Sequence, residues 1–386
     1  MRRFLIAASI VATLGAVAPV GAQDGAVLYA RLEATLEDFH ARYGFPGATA
    51  AISLPDGKVA TAATGLADVE AGRAMTPETP MLAASIGKTF VAATVLALEN
   101  EGRLLRADLL ADHLGDRPWF SDLPNAETMT IGHLLRHSAG LPDHVHLPAF
   151  QAAWAKMVTG EGVITPEDLV GFVTGMDPLF EVGTAWAYSD TGYILLGLVI
   201  EAVTGQPYHE VVHTRFLDPL ALADTFPSDR RDLPGLAVGY LAPGNPFGLQ
   251  ERTADAEGRL LWDPAVEWTG GGLASTSHDL ARWGHLLFGG AAMAAPYLDR
   301  LLGGVPVAPG VLYGAGVAIH PDTPRGPVYG HGGWIPAYVS SLRHYADHGL
   351  TVAFQINTDA GFIDDSSDRV SDMEAALADL ALEVVQ

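Results

Sequence analysis

The sequence predicts an α+β fold: an antiparallel sheet flanked by terminal helices, with a mainly helical subdomain inserted in the chain. Three observations carry this. Strand-and-hairpin patterns cluster near both ends of the chain. Helical patterns close each end. Between about 102 and 263, short helical segments alternate with Pro/Gly loops and strand signals are few. The sheet-containing part is then about 27–101 and 264–386, and the helical subdomain about 102–263.

Met1 to Ala22 reads as a secretory signal: Arg2 and Arg3, an apolar run from Phe4 to Ala18, then the small-residue site Val20-Gly21-Ala22. The domain proper is 23–386, expected in a periplasm or outside the cell, with no stable membrane anchor once the signal is removed. Val27 to Tyr43 is an amphipathic helix closed by Gly44. Gly47–Leu54 and Lys58–Thr64 are strands joined by the turn residues Pro55-Asp56-Gly57. Met81 to Gly102 reads as one helix, apolar around most of its circumference from Phe90 to Leu98 and so buried on all sides. Thr130–His137 is a short helix. Thr165-Pro166 opens another with proline at its first position. Thr191–Val203 is strongly apolar and ends at Thr204-Gly205, and Gln206-Pro207 opens a helix to about Phe216. Ser277 caps a helix through Leu287. Val328–His331 starts a strand, Tyr338–Tyr345 and Leu350–Asn357 form a hairpin, and Asp368–Val385 is the final helix.

The formal net charge is −23, and without Arg2 and Arg3 it is −25. That argues against nucleic acid and anionic membranes as partners and for a small-molecule or peptide substrate. The chain has no cysteine, so disulfides, thiolate chemistry and Cys metal sites are excluded. The oligomeric state is not legible.

Several stretches carry candidate chemistry. Ser85 and Lys88 are three apart, hence neighbours on one helical face. Burial disfavours a charged amine, so Lys88 there is a candidate base for a Ser85 nucleophile. On spacing alone, a surface Lys beside an N-cap Ser85 is the simpler reading. Tyr188-Ser189-Asp190 precedes the apolar helix. A phenol beside a Lys ammonium ionises more easily and can shuttle a proton, and Asp190 also suits an N-cap. His331-Gly332-Gly333-Trp334 ends a strand where glycines admit close approach of the backbone to an oxyanion. His209-Glu210-Val211-Val212-His213 matches the zinc-peptidase pattern His-Glu-x-x-His, but the third ligand of that pattern does not follow. His133, His137, His144 and His146 are a weaker histidine group with no carboxylate fixed by spacing. No Gly-x-Ser-x-Gly elbow occurs, and Gly270-Gly271-Gly272 lacks a dinucleotide-site context.

Taken together, Ser85-Ile86-Gly87-Lys88, Tyr188-Ser189-Asp190 and His331-Gly332-Gly333 resemble the three motifs of the penicillin-recognising serine hydrolases. The likeness is to the branch of class C beta-lactamases, DD-carboxypeptidases and family VIII esterases, with its beta-lactamase/transpeptidase-like fold. Thr130 to Pro142 and Gly270 to Thr276 are similar too, so the resemblance covers Val27 to about Asp359. It implies acyl transfer without metal or organic cofactor. Ser85 attacks a carbonyl, Lys88 or Tyr188 takes its proton, and Tyr188 protonates the leaving group. The backbone N–H groups of Ser85 and Trp334 hold the oxyanion, and Asp190, His331, Gly332 and Gly333 line the substrate. Two residues depart from the pattern. Asp190 stands where these enzymes usually have Asn; a carboxylate reaching Lys88 would hold the ammonium charged and shift the base role to Tyr188. Gly332 removes a hydroxyl that helps hold the carboxylate of a penicillin or D-Ala peptide, which favours esters or other amides. Against the serine-hydrolase reading stand a zinc peptidase using His209, Glu210 and His213, and a non-catalytic wall-peptide-binding relative.

Overall fold

The computed structural model describes residues 22–245, 247–293, 295–362 and 368–385. The expected signal, 1–22, lies outside them except for Ala22, where the first helix begins. The main sheet has nine strands: β1 (Gly47–Ser53), β2 (Val59–Asp68), β3 (Arg73–Ala74), and six more after the small-sheet strands β4 (Met81–Leu82), β5 (Phe226–Pro227) and β6 (Leu273–Ser275). These six are β7 (Val305–Ala308), β8 (Val311–Tyr313), β9 (Ala318–His320), β10 (Val328–Ile335), β11 (Tyr338–Tyr345) and β12 (Leu350–Ile356). The order across the sheet is β3-β2-β1-β12-β11-β10-β9-β8-β7. Its neighbours run antiparallel, so the two chain ends meet where β1 pairs with β12.

β1 and β12 are buried along their whole length. Both faces of the sheet are covered there, which explains their run of Ala, Val and Ile in place of strict alternation. On one face lie the terminal helices α1 (Ala22–Tyr43) and, at the end of the chain, Arg369–Val385. The α1 stripe Leu28, Leu32, Leu36 and Phe39 packs with Met373, Leu377 and Ala381 of the last helix against Ala48, Ile52 and Phe354. The Tyr43 hydroxyl also donates to Asp372 at 2.9 Å. On the other face lie Ser277–Phe288 and the helical region. Buried at its centre is α2 (Gly87–Asn100), where Phe90 stacks on Trp283 at 4.0 Å and Trp283 Nε1 donates to Thr89 at 2.8 Å. No helix among the described residues is long and apolar enough to cross a membrane.

The helix expected over Met81–Gly102 is three elements. Met81–Leu82 is a strand paired with Ser275 and Ala274, Ala84–Ile86 is a 3-10 turn, and α2 begins only at Gly87. A buried strand and a buried helix share an all-apolar pattern, so periodicity cannot separate them. The join requires Ala84 at φ +49°, in the left-handed region. Strands β7, β8 and β9 were not expected; they are three or four residues long and separated by short glycine-containing turns. The helix near 277 is capped by Thr276, whose hydroxyl accepts from Asp279 N–H, not by Ser277.

Two close approaches aim the Ser85 turn. A Cβ on Gly271 would lie 2.6 Å from the Ala84 carbonyl carbon, and one on Gly333 would lie 2.4 Å from Ala83 O. Ser340 Oγ donates to that same oxygen at 2.8 Å. Backbone thus meets backbone on both sides of the nucleophile turn. Gly271→Ala is expected to cost about 1–3 kcal/mol of stability by overpacking, read as a lower denaturant midpoint. An unchanged midpoint would contradict this packing.

Candidate active site

Ser85, Tyr188, Asp190, His331, Gly332, Gly333 and Trp334 all line one cavity of about 790 Å³. Ser85 stands on the 3-10 turn ahead of α2, and Lys88 one turn on is fully buried. Tyr188 ends a loop, and Asp190 is the first residue of the helix Asp190–Thr204. His331 to Trp334 belong to β10. Segments about one hundred and about two hundred and fifty residues apart are brought together because the sheet order sets β10 against the Ser85 turn.

Ser85 Oγ receives hydrogen bonds from Lys88 Nζ at 3.1 Å and from the Tyr188 hydroxyl at 3.0 Å. Lys88 also donates to the Gly270 carbonyl and forms an ion pair with Asp190. Asp190 Oδ1 meets the ammonium without the alignment of a hydrogen bond, so the attraction is Coulombic. Ser189, not Asp190, is the N-cap of the following helix, and its side chain makes no cap bond.

Charge states follow from this packing. Burial acts to lower the Lys88 value, but Asp190 and then Tyr188 outweigh it, and the net shift is upward. This is the outcome expected of a carboxylate that reaches Lys88: the charged form is favoured, and an ammonium has no lone pair to accept a proton. Tyr188 is pushed up to about 12 by burial, with Lys88 pulling part of the way back. The phenol is therefore harder to ionise than expected, and Lys88 limits the rise. His331 is pushed down to about 3 by burial and by Lys88. As a neutral ring, its Nδ1–H donates to Gly332 O and its Nε2 accepts from the Tyr313 hydroxyl at 2.8 Å.

The four histidines near 133–146 do separate jobs. His133 closes a capping box with Thr130. His137 Nδ1 accepts the Ser189 N–H at 3.2 Å, and its ring lies 4.2 Å from that of Tyr188, which fixes the Tyr188 loop. His144 Nδ1 pairs with the Thr191 hydroxyl at 2.9 Å, and His146 sits on the cavity wall. Of the zinc-peptidase pattern, His213 pairs with Asp218 at 3.3 Å and His209 is half-buried. No group of three or more His, Asp or Glu among the described residues is placed to hold a metal ion.

Three residues near the nucleophile escaped the sequence reading. Tyr313 lies on β8, itself unexpected, and holds His331. Asp143 and Glu267 line the cavity, and each is pushed up to about 7 by burial and then by Asp190. Asp143 follows Leu141-Pro142 in a stretch already singled out, and its proximity to a motif was the one available signal. Glu267 carries none.

A protein-family model described as beta-lactamase matches residues 32–377. Penicillin-binding protein 4* of Bacillus subtilis (strain 168) is 27% identical over 283 residues, 71% of this chain and 60% of that protein. Esterase EstB of Burkholderia gladioli is 32% identical over 219 residues, 52% of each. The chain thus spans 60% of the length of the first and 52% of the second. Among solved structures, a D-stereospecific amidohydrolase from Streptomyces sp. is similar at a TM-score of 0.72 and 28% identity, over 87% of this chain and 94% of that one. Matched over most of its length, the chain belongs to the beta-lactamase family, whose members include penicillin-binding proteins and serine hydrolases acting as esterases and amidases.

Proposed function

We propose that the chain is an exported serine hydrolase that forms an acyl-enzyme on Ser85 and hydrolyses a carboxylic ester or amide. The observation that carries this is the pair of contacts on Ser85 Oγ, from Lys88 at 3.1 Å and Tyr188 at 3.0 Å, at the wall of a cavity of substrate size. The Met1–Ala22 pattern supports export.

The chemistry follows from the charge states. The base is Tyr188 in the small fraction that is ionised: burial holds the phenol protonated, and the Lys88 ammonium 5.0 Å from its ring offsets part of that cost. Ser85 Oγ bonds to the carbonyl carbon, its proton passes to Tyr188, and the carbonyl π pair moves onto oxygen. The backbone N–H groups of Ser85 and Trp334 receive that oxyanion. As the tetrahedral adduct collapses, Tyr188 returns the proton to the leaving alcohol or amine. Water then attacks the acyl carbon, giving up a proton to Tyr188, and Ser85 leaves with it. No proton is gained or lost over the cycle.

Ser85→Ala is expected to lower kcat on a p-nitrophenyl ester by about a thousandfold or more and to abolish labelling by a fluorophosphonate, read by intact mass. A labelled Ser85→Ala protein would refute the assignment.

The pH dependence has a definite sign. Asp190 raises both Lys88 and Tyr188. Asp190→Asn removes that pull, so both groups lose their protons at lower pH and the rising limb of kcat/KM moves toward acid. The measurement is a pH–rate profile of both proteins, and a limb that stays in place or moves toward alkali counts against the base assignment.

Gly332 bears on substrate class. A Cβ there would meet nothing nearer than 3.9 Å, so the cavity has room for a side chain that this protein omits. Gly332→Ser is expected to raise turnover of nitrocefin relative to p-nitrophenyl acetate by about tenfold, the worth of one hydrogen bond to a charged group. An unchanged ratio would detach the missing hydroxyl from substrate choice.

A further inference from the structure

We propose that Asp359 is a positioning residue for the reaction: it anchors the Trp334 indole and thereby aims the Trp334 backbone N–H at the oxyanion. The proposal rests on the serine-hydrolase reading of the site and adds a residue from outside its three motifs.

The pairing of β10 leaves that N–H in need of an anchor. β10 and β11 are joined by Pro336 and Ala337, with Ile335 opposite Tyr338 and Trp334 opposite Val339. Facing residues in an antiparallel pair alternate between exchanging both backbone bonds and exchanging none. A two-residue turn is closed by a bonded pair, here Ile335 and Tyr338, so Trp334 falls in a pair without bonds. Its N–H then points to the far edge of β10. β9 pairs with that edge only at Val328 to Gly330. Beyond it, the edge lies against the Ser85 turn, where Gly333 backs onto Ala83 and Ala84. The N–H faces the nucleophile, and no strand among the described residues fixes its direction.

The side chain fixes it instead. Trp334 Nε1 donates to Asp359 Oδ2 at 3.1 Å, and the ring lies 5.8 Å from that of Phe247 on the cavity wall. Asp359 is a firm anchor because its neighbours are pinned. The Tyr240 N–H donates to Asn357 O at 2.9 Å, and Asn357 Nδ2 donates to Val238 O at 2.9 Å. Thr358 Oγ1 donates to Tyr240 O at 2.6 Å and accepts the Ala360 N–H at 3.1 Å. Burial raises the Asp359 carboxyl, and the N–H groups of the Trp334 indole and the Ala337 backbone pull against that rise. One carboxylate thus grips both the strand end and the turn that closes it. Ala337 stands at φ +72°, a conformation that a residue with a side chain keeps only where its surroundings hold it. Trp334 is 39% exposed, so without Asp359 the ring is free to leave the wall.

The test reads kcat and KM on a p-nitrophenyl ester in the full-length chain. Loss of a whole oxyanion donor lowers kcat by about a hundredfold or more, and a misaimed donor forfeits part of that. Asp359→Ala is expected to lower kcat about tenfold with KM nearly unchanged, because the oxyanion forms in acylation and in deacylation but not in the bound ester. Asp359→Asn keeps a carbonyl acceptor for the indole and is expected to recover most of the rate. Trp334→Phe keeps the backbone N–H but has no indole donor, and is expected to reproduce the loss. Combined with Asp359→Ala it is expected to add nothing further. A kcat for Asp359→Ala within about twofold of the unsubstituted chain overturns the proposal. So do losses that multiply in the double variant, or an Asp359→Asn protein as slow as Asp359→Ala. Where Asp359→Ala does not fold, Trp334→Phe decides alone, and an unchanged kcat is the adverse result. Fluorophosphonate labelling of the unsubstituted chain reports the hydrolase reading by itself. Labelling with an unchanged Asp359→Ala rate sinks only the positioning claim; absence of labelling ends both.

Discussion

The buried ion pair between Lys88 and Asp190 is the interaction on which the site depends. An ammonium taken wholly out of water carries a penalty of several kcal/mol unless a counter-charge and acceptors meet it. Asp190 supplies the charge, and Gly270 O and Ser85 Oγ supply the acceptors. Three stretches far apart in sequence are thereby tied to one nitrogen. The helix that starts at Asp190 contributes as well, because its positive end favours a carboxylate in the first turn. Remove the carboxylate and the buried amine holds its proton less tightly; remove the amine and a carboxylate stands in a low-dielectric site without a partner.

That pair also decides the division of labour. A lysine committed as ammonium is a fixed positive charge beside Ser85, useful for stabilising negative charge and useless as a proton acceptor. The proton must then travel through Tyr188, the other group within hydrogen-bond reach of Ser85 Oγ. His137 and the Ser189 N–H hold the Tyr188 loop in register, and the Tyr313–His331 contact holds the strand on the opposite side. The histidines nearest the nucleophile therefore act as neutral struts rather than as bases.

The three motifs were legible in the sequence because each combines an uncommon chemistry with a backbone signal: Ser85 and Lys88 at helical spacing, Tyr188 and Asp190 at a helix start, His331 before two glycines. The sheet ends and terminal helices were legible for the same reason, as long periodic segments with turn residues between them. The join at Ala84 was not, since Met81-Leu82 in a two-residue strand looks like the first turn of α2. Nor were β7 to β9, too short to show a period. Glu267 was invisible because an isolated acid at the end of a single 3-10 turn has no local context. Only the folded chain shows that its carboxylate faces the same cavity as Ser85.

The two departures from the motif pattern act in the same direction. An amide at 190 would donate a hydrogen bond toward the substrate; Asp190 only accepts. A hydroxyl at 332 would donate another; Gly332 offers none. Each change removes a donor from the face that would grip a carboxylate or carbonyl oxygen. Asp143 and Glu267 add acceptors to the same cavity. The site is thereby turned from donor-rich to acceptor-rich while the Ser85–Lys88–Tyr188 contacts stay in place. Two residues from separate segments, Asp190 and Gly332, thus each withhold a donor from one cavity around an unaltered nucleophile.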